Sequence, residues 1–307
     1  MKEDDFINII KRALPESAGY IGDDTAYIAE KDLILTQDTL IEDIHFRTST
    51  ITPYYLGRKS IAVNLSDIAA SGGIPDYVLI SLSMPKYIDE EFVAEFYQGV
   101  HSICKEYNVL VVGGDLTAAG EITVSVCAIG SGRGLIPANR RNAHAGDVVV
   151  VTGSFGSSSA GLYILENKLQ GPEKFIQAHI DPTPRLKEGR KILEAALNPA
   201  MMDTSDGLAD ALYKICLMSN VRMDIEFDKV PFDRDISGVA GDEDTARCWV
   251  FSGGEDYELV ATIPEHVYEK LSREISIKKI GVVKASDDKP LNIEDLGGST
   301  CLFRHFE

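Results

Sequence analysis

Six short stretches of this chain set a carboxylate beside a small or polar residue at the edge of an apolar run. They are YIGDDTAYI (20–28), LTQDTL (35–40), NLSD (64–67), VVGGDL (111–116), MMDTSDGL (201–208) and SGGEDYEL (252–259). A single Asp after glycine is ordinary turn chemistry. The repeat suggests one arrangement used several times: a strand ends, a small residue bends the backbone, and a carboxylate is left at the strand's carboxyl end, the edge where open α/β sheets bind ligands. Were Asp24, Asp38, Asp67 and Asp115 to converge there, each pair would repel by roughly 3 kcal/mol at ~5 Å and an effective dielectric of ~20. Such a group needs compensating cations. Oxygen donors without a His/Cys set select a hard ion, Mg²⁺ or Mn²⁺, over zinc, and no EF-hand pattern is present. Magnesium is normally shared between a few carboxylates and substrate phosphates. Several acids without a closed cage therefore point to a metal-bridged polyphosphate such as ATP.

Other signatures are fewer. There is no G-x-x-x-x-G-K-[S/T] loop and no protein-kinase catalytic loop. GSFGSSSAG (153–161) could offer backbone N–H groups and a helix N-terminus to an anion, or serve as a plain connection. Arg140 and Arg141 could reach a phosphate or lie solvated. His45 and His101 read locally as surface or helix-face residues, and no Ser/His/Asp or Cys/His arrangement is present. Ser60, Asn64, Asp67 and Ser71 recur at spacings of four, three and four, so they share one helical face. That stripe faces either solvent or a polar cleft. It consists of small polar groups without a long solvating Lys or Glu, which favours the cleft.

Helix-like and strand-like stretches alternate around these residues, predicting an α/β or α+β architecture. Strands are expected at 32–38, 77–85, VLVVGGD, 122–132, 147–153, RMDIEF, CWVFSG, YELVATIP and KKIGVV. Helices are expected at the N-terminus, 56–72, 89–107, LYILEN, 184–197, GLADALYKICLMSN and EHVYEKLSREI. At 307 residues the chain suits two domains, and the run GSGRGLIPANRRNAHAGD (130–147) marks the boundary: 1–143 and 144–307. Acids outnumber bases 48 to 30, a net charge of −18, which argues against nucleic acid or an anionic membrane as partner. The five cysteines are scattered and read as reduced thiols. No apolar signal core precedes the first amphipathic helix, and a cytoplasmic protein is expected.

In this order, GDDTA, QDTLIEDIHF, AVNLSDIAASGGIP, VVGGD, VTGSFGSSSAGL, DTSDGL and SGGEDYEL closely resemble the thiamine-monophosphate kinases, within the aminoimidazole ribonucleotide synthetase superfamily. The likeness covers nearly the whole chain. It implies the two-domain fold of that superfamily, N-terminal domains paired in a homodimer, and ATP bound through several Mg²⁺ ions. By position it makes Asp24, Thr36, Asp38, Asp67, Asp115, Asp203 and Asp206 metal ligands, and Tyr97, Gly114, Asp115, Arg140 and Ser205 nucleotide contacts. His45, Glu255 and Phe303 would line the thiamine phosphate site. Gln37 stands where the family often carries a hydroxyl, though an amide oxygen can still take Mg²⁺ or its water. Ser157 stands where the family commonly has an acid.

Two sister activities lack their marks: no cysteine precedes Cys104, as a selenophosphate synthetase needs, and the chain ends in Glu307, where the hydrogenase-maturation dehydratase ends in cysteine. The expected reaction is direct in-line transfer from ATP to thiamine monophosphate, with Asp38, Asp115 and Arg140 carrying catalysis through charge neutralisation. No general base is required, because a phosphate monoester is already anionic near pH 7, its second pKa being about 6. The alternatives are a non-catalytic, metal-dependent nucleotide-binding protein or a sister ATP-dependent enzyme of the same superfamily.

Overall fold

The computed structural model describes residues 3–287 and 290–294. The first half runs α1 (Glu3–Ala13), β1 (Ala26–Ile28), β2 (Leu33–Ile41), α2 (Pro53–Ala70), β3 (Ile74–Met84), α3 (Glu90–Tyr107), β4 (Leu110–Ala118) and β5 (Thr123–Ser131). The second runs β6 (Val148–Thr152), α4 (Ser157–Glu166), α5 (Glu173–Ile180), α6 (Leu186–Ala195), β7 (Ala200–Asp203), α7 (Leu208–Ser219) and β8 (Val221–Glu226). It continues through α8 (Asp235–Ala240), α9 (Glu243–Ser252), β9 (Leu259–Ile263), α10 (Glu265–Leu271), β10 (Ile277–Ala285) and β11 (Leu291–Glu294).

Each half builds one mixed sheet. The first has the order β1-β2-β5-β3-β4, antiparallel except for the β3/β4 pair. The second has the order β11-β8-β10-β6-β9-β7, antiparallel except for β11/β8. These are not open parallel sheets, so a common carboxyl edge does not collect the acids. Asp38 and Asp115 lie inside β2 and β4, and of the expected ligands only Asp203 ends a strand.

Helix α2 organises the molecule. Thr52 caps it by accepting the Tyr55 N–H, and Pro53 occupies the first turn, where a missing N–H costs nothing. Ile61, Leu65 and Ile68 pack into the first sheet's core, whereas Ala69 and Ala70 belong to a cluster with Val148, Val150 and Leu259 of the second. A helix buried nearly all round reads as apolar all round, and here the buried set also includes Lys59, Ser60, Asn64 and Ser66. Against α3 the two backbones nearly touch. A Cβ at Gly57 would sit 2.1 Å from the Phe96 carbonyl oxygen, and one at Gly99 only 1.9 Å from that of Tyr54.

The strand expected at CWVFSG is instead the end of α9. Asp242 caps that helix by accepting the Thr245 N–H, and Glu243 and Asp244 fill its first turn. Ala246, Val250 and Phe251 are then buried at helical spacing, so the β-branched and aromatic content yields to tertiary packing. The serines of GSFGSSSAG likewise open α4.

Candidate active site

The acidic doublet at the start of the chain is met by a basic doublet. Asp24 Oδ1 accepts from Arg140 at 2.6 Å, Asp23 Oδ1 accepts the Arg140 backbone N–H at 2.9 Å, and Arg141 pairs with Asp23 Oδ2 at 3.0 Å. Arg140 is mostly buried, and its Nε has no hydrogen-bond partner. Burial works against its charge, but Asp24, Asp203 and Asp23 outweigh burial and keep it protonated.

Around this arginine, carboxylates from three elements converge. Asp24, Asp67 of α2 and Asp203 of β7 each present an oxygen within 4.8 Å of the others. Thr36 of β2 donates to Asp67 Oδ2. Ser66 donates to Asp203 Oδ2 at 2.6 Å across the domain seam, while Asp203 Oδ1 is buried without a partner. Asp38 lies on the helix-facing side of β2, its backbone N–H held by Asn64 Oδ1 at 3.0 Å. The polar stripe of α2 thus faces a cleft, with Asn64 fixing the strand and Asp67 entering the cluster.

The electrostatics are those of a cation-binding site. Burial, then Asp24 and Asp206, push the Asp38 carboxyl up to about 6. Burial and Asp24 push Asp203 up to about 7 against the pull of Ser66 and Arg140, and burial with Asp38, Asp203 and Asp24 raises Asp67. One guanidinium cannot balance this set. The all-oxygen donors, the orphaned Asp203 Oδ1 and the mutual repulsion fit a hard divalent ion. Asp206 pairs with Lys214 at 3.2 Å at the edge of the group.

A second polar group borders the first. His45 follows β2, with Nδ1 accepting the Ile41 N–H at 3.1 Å, and it lies near enough to Glu255 to be among the groups that influence that carboxyl. Glu255 adopts φ 64°, donates its N–H to the Ser205 carbonyl at 2.7 Å, and pairs with buried Lys59 at 3.2 Å. Tyr257, at φ 51°, feels Glu255 together with Asp38, Asp203 and Asp67, so the two groups adjoin.

Several expected residues stand apart. Strand alternation puts Gln37 on the opposite face from Thr36 and Asp38, where it is exposed. Asp115 is exposed on edge strand β4, level with Ser81, Ser125 and Thr39 on that same outer face. A single chain therefore does not bring Asp115 or Gln37 to the cluster. Gly114 has φ 153°, and a Cβ there would sit 1.8 Å from the Ile80 carbonyl oxygen, so the β3/β4 pairing requires glycine. Tyr97 lies on α3, partly buried edge-to-face on Phe96. Phe303 lies outside the described residues.

The N-terminus of α4 is already occupied by the carboxyl group of Asp256, which accepts the Gly156 and Ser158 N–H groups at 2.7 and 3.1 Å while burial pushes it up to about 8. Sequence reasoning missed Asp256 and Lys59. Asp256 was signalled only by its place in GGEDYEL, and Lys59 by being a lysine inside a helix of otherwise buried residue types. Cys104, Cys127, Cys216 and Cys248 are free thiols, with burial pushing Cys104 up to about 11.

Comparison with known proteins gives the family. The family model for AIR synthase related proteins matches in two parts, the N-terminal domain over residues 22–131 and the C-terminal domain over 144–293. The thiamine-monophosphate kinase of Bacillus subtilis (strain 168) is 36% identical over 86% of this chain and 85% of its own. That of Aquifex aeolicus (strain VF5) is 35% identical over 92% and 91%. A solved structure, AaThiL complexed with AMPPCP and TMP, superposes with a TM-score of 0.88 at 32% identity, covering 99% of this chain and 97% of that one.

Proposed function

This chain belongs to the AIR synthase related proteins, and from that premise we propose that it phosphorylates thiamine monophosphate with ATP to give thiamine diphosphate. The observation that carries the reading is the convergence of Asp24, Asp67 and buried Asp203, drawn from both domains, around Arg140. The activity of the curated relatives and the AMPPCP and TMP complex of a solved relative support it.

Asp24, Thr36, Asp38, Asp67, Asp203 and Asp206 would hold magnesium, which when bound supplies the positive charge that lets two polyanions approach. The chain's own part is positioning. Asn64 fixes Asp38 and Ser66 fixes Asp203, so little reorganisation accompanies transfer. Arg140, pinned by Asp24, would set a fixed positive charge beside the carboxylates for the phosphates. Ser205 and Tyr97 are assigned to the nucleotide. His45, Glu255 and Phe303 are assigned to the thiamine moiety. The attacking phosphate oxygen is already anionic, so no side chain needs to act as base.

The outer face of the first sheet exposes Tyr77, Leu79 and Leu110, an apolar surface that a second copy would cover. Asp115, Gly114 and Gln37 belong to β4 and β2 of that sheet. In this reading Asp115 therefore serves the site of the partner chain and contributes only in the homodimer. Among the described residues no helix is long and apolar enough to cross a membrane. Free thiols and biosynthetic relatives fit a cytoplasmic enzyme without nucleic-acid partners.

The test is incubation of the purified protein with ATP, Mg²⁺ and thiamine monophosphate, followed by chromatography. Thiamine diphosphate is expected. Retained Mg·ATP binding with no diphosphate formed would favour the non-catalytic alternative.

A further inference from the structure

Lys59 is fully buried, and its ammonium meets Glu255 Oε2 at 3.2 Å across the domain seam. A buried ion pair is a poor stability device, since well-packed apolar residues of similar volume do as well or better. Glu255 also sits in the left-handed backbone region, which costs a non-glycine residue free energy and concentrates where function demands it. Its side chain keeps 24% exposure although its partner has none, so one end of the pair is anchored and the other faces the seam.

Two neighbours narrow the role. His179 Nδ1 lies 3.4 Å from Glu255 Oε2 and 3.0 Å from Ser158 Oγ. Burial and the charge of Lys59 push His179 down to about 3, so this imidazole is neutral near pH 7 and Lys59 supplies the formal charge beside it. Burial raises the Glu255 carboxyl, but the charge and hydrogen bond of Lys59 work against that and keep it ionised.

Position completes the argument. Lys59 and Ser66 are seven residues apart on α2, two turns along one face, which spans about 10 Å. Ser66 reaches Asp203 in the acidic cluster, and Lys59 reaches Glu255. The helix therefore holds a fixed negative charge at a set distance from the phosphate-handling end. The spacing of about 10 Å between those two helical anchor positions is comparable to the reach from a transferring phosphoryl group, across a phosphoester and a two-carbon link, to a thiazolium ring.

We propose that Lys59 is a positioning residue for the acceptor substrate: by holding the Glu255 carboxylate in place, it selects an acceptor whose ring is positively charged. The inference rests on the thiamine monophosphate kinase reading above and deepens it. Lys59 itself, being buried, touches neither substrate.

The experiment compares thiamine monophosphate with an analogue in which carbon replaces the thiazolium nitrogen, leaving a neutral ring. Turnover of thiamine monophosphate by the wild-type protein tests the kinase reading alone. Given that turnover, the wild type is expected to prefer the charged acceptor by roughly 10–100-fold in kcat/KM, as for one interaction with a charged group. Lys59→Met and Glu255→Gln should each reduce the preference to near unity. Both should act through the KM of the acceptor, with kcat and the KM of Mg·ATP little changed, and Lys59→Arg should restore most of the preference. An undiminished preference in Lys59→Met, or an equal rise in the KM of Mg·ATP, overturns the proposal. Where Lys59→Met does not fold, the other two variants decide: Glu255→Gln must lose the preference and Lys59→Arg must keep it, and either opposite result overturns the proposal.

Discussion

Replacing Asp203 by Asn should make the metal-free protein more stable, not less. The folded chain holds the Asp203 proton up to about pH 7, whereas the ordinary carboxyl releases it at 3.8. The folded state therefore binds more protons between those values, and metal-free stability falls as pH rises through them. At about 1.4 kcal/mol per pH unit, ionising this buried group costs about 4 kcal/mol by pH 8 but under about 2 kcal/mol at pH 5. Asn keeps the shape and the Ser66 hydrogen bond, and its amide can donate to the carboxylates of Asp24 and Asp67. Urea unfolding in chelator should thus show the variant ahead by several kcal/mol at pH 8, with a smaller lead at pH 5. In saturating Mg²⁺ the order should reverse, because the wild type gains binding free energy that the variant has lost. A variant less stable than wild type in chelator at pH 8 would refute the idea that like charges are crowded here.

Four further outcomes are expected. Asp38→Asn should fold normally and lose on the order of 10²–10³ in turnover, as for one removed electrostatic element. Asp115→Asn should be similarly impaired, yet mixed dimers of the two variants should regain one intact site per dimer, and no regain on mixing would place Asp115 in its own chain's site. His179→Gln should flatten the acid response: because the folded imidazole resists its proton down to about 3, wild-type stability is lost as pH falls below 6.5, by about 2 kcal/mol at pH 5, and urea titrations at pH 7 and 5 would show the variant sparing that loss. Leu79→Glu should leave the fold intact and give a monomer in sedimentation, since a carboxylate would enter the exposed apolar outer face of the first sheet.

The acids were legible in the sequence because their types and neighbours repeat, but the reason for their convergence was not. Strand-end logic fails for Asp38, which sits mid-strand and enters the site because β2 alternates faces opposite α2. That same alternation sends Gln37 away, a consequence visible only once the strand's inward face is known. The stripe Asn64–Asp67 left solvent and cleft both open from spacing alone, and the second sheet and α6 covering α2 decide for the cleft. Lys59 escaped notice because a lysine in a helix ordinarily reads as solvated, and its partner lies 196 positions away. CWVFSG misled because short apolar runs carry little period, and the cap at Asp242 outweighs them.

Helix α2 is a shared keel. Its early turns lock against α3 at Gly57 and Gly99, while its later ones wedge Ala69 beneath α6, where a Cβ at Gly189 would come within 2.0 Å of the Ala69 carbonyl oxygen. Two lobes riveted to one rod cannot swing apart like a clamshell without exposing that rod's ammonium and hydroxyls to water. Any gating of the seam must therefore fall to the loops around it, while the spacing between the acidic cluster and the Lys59–Glu255 pair is built in before any ligand arrives.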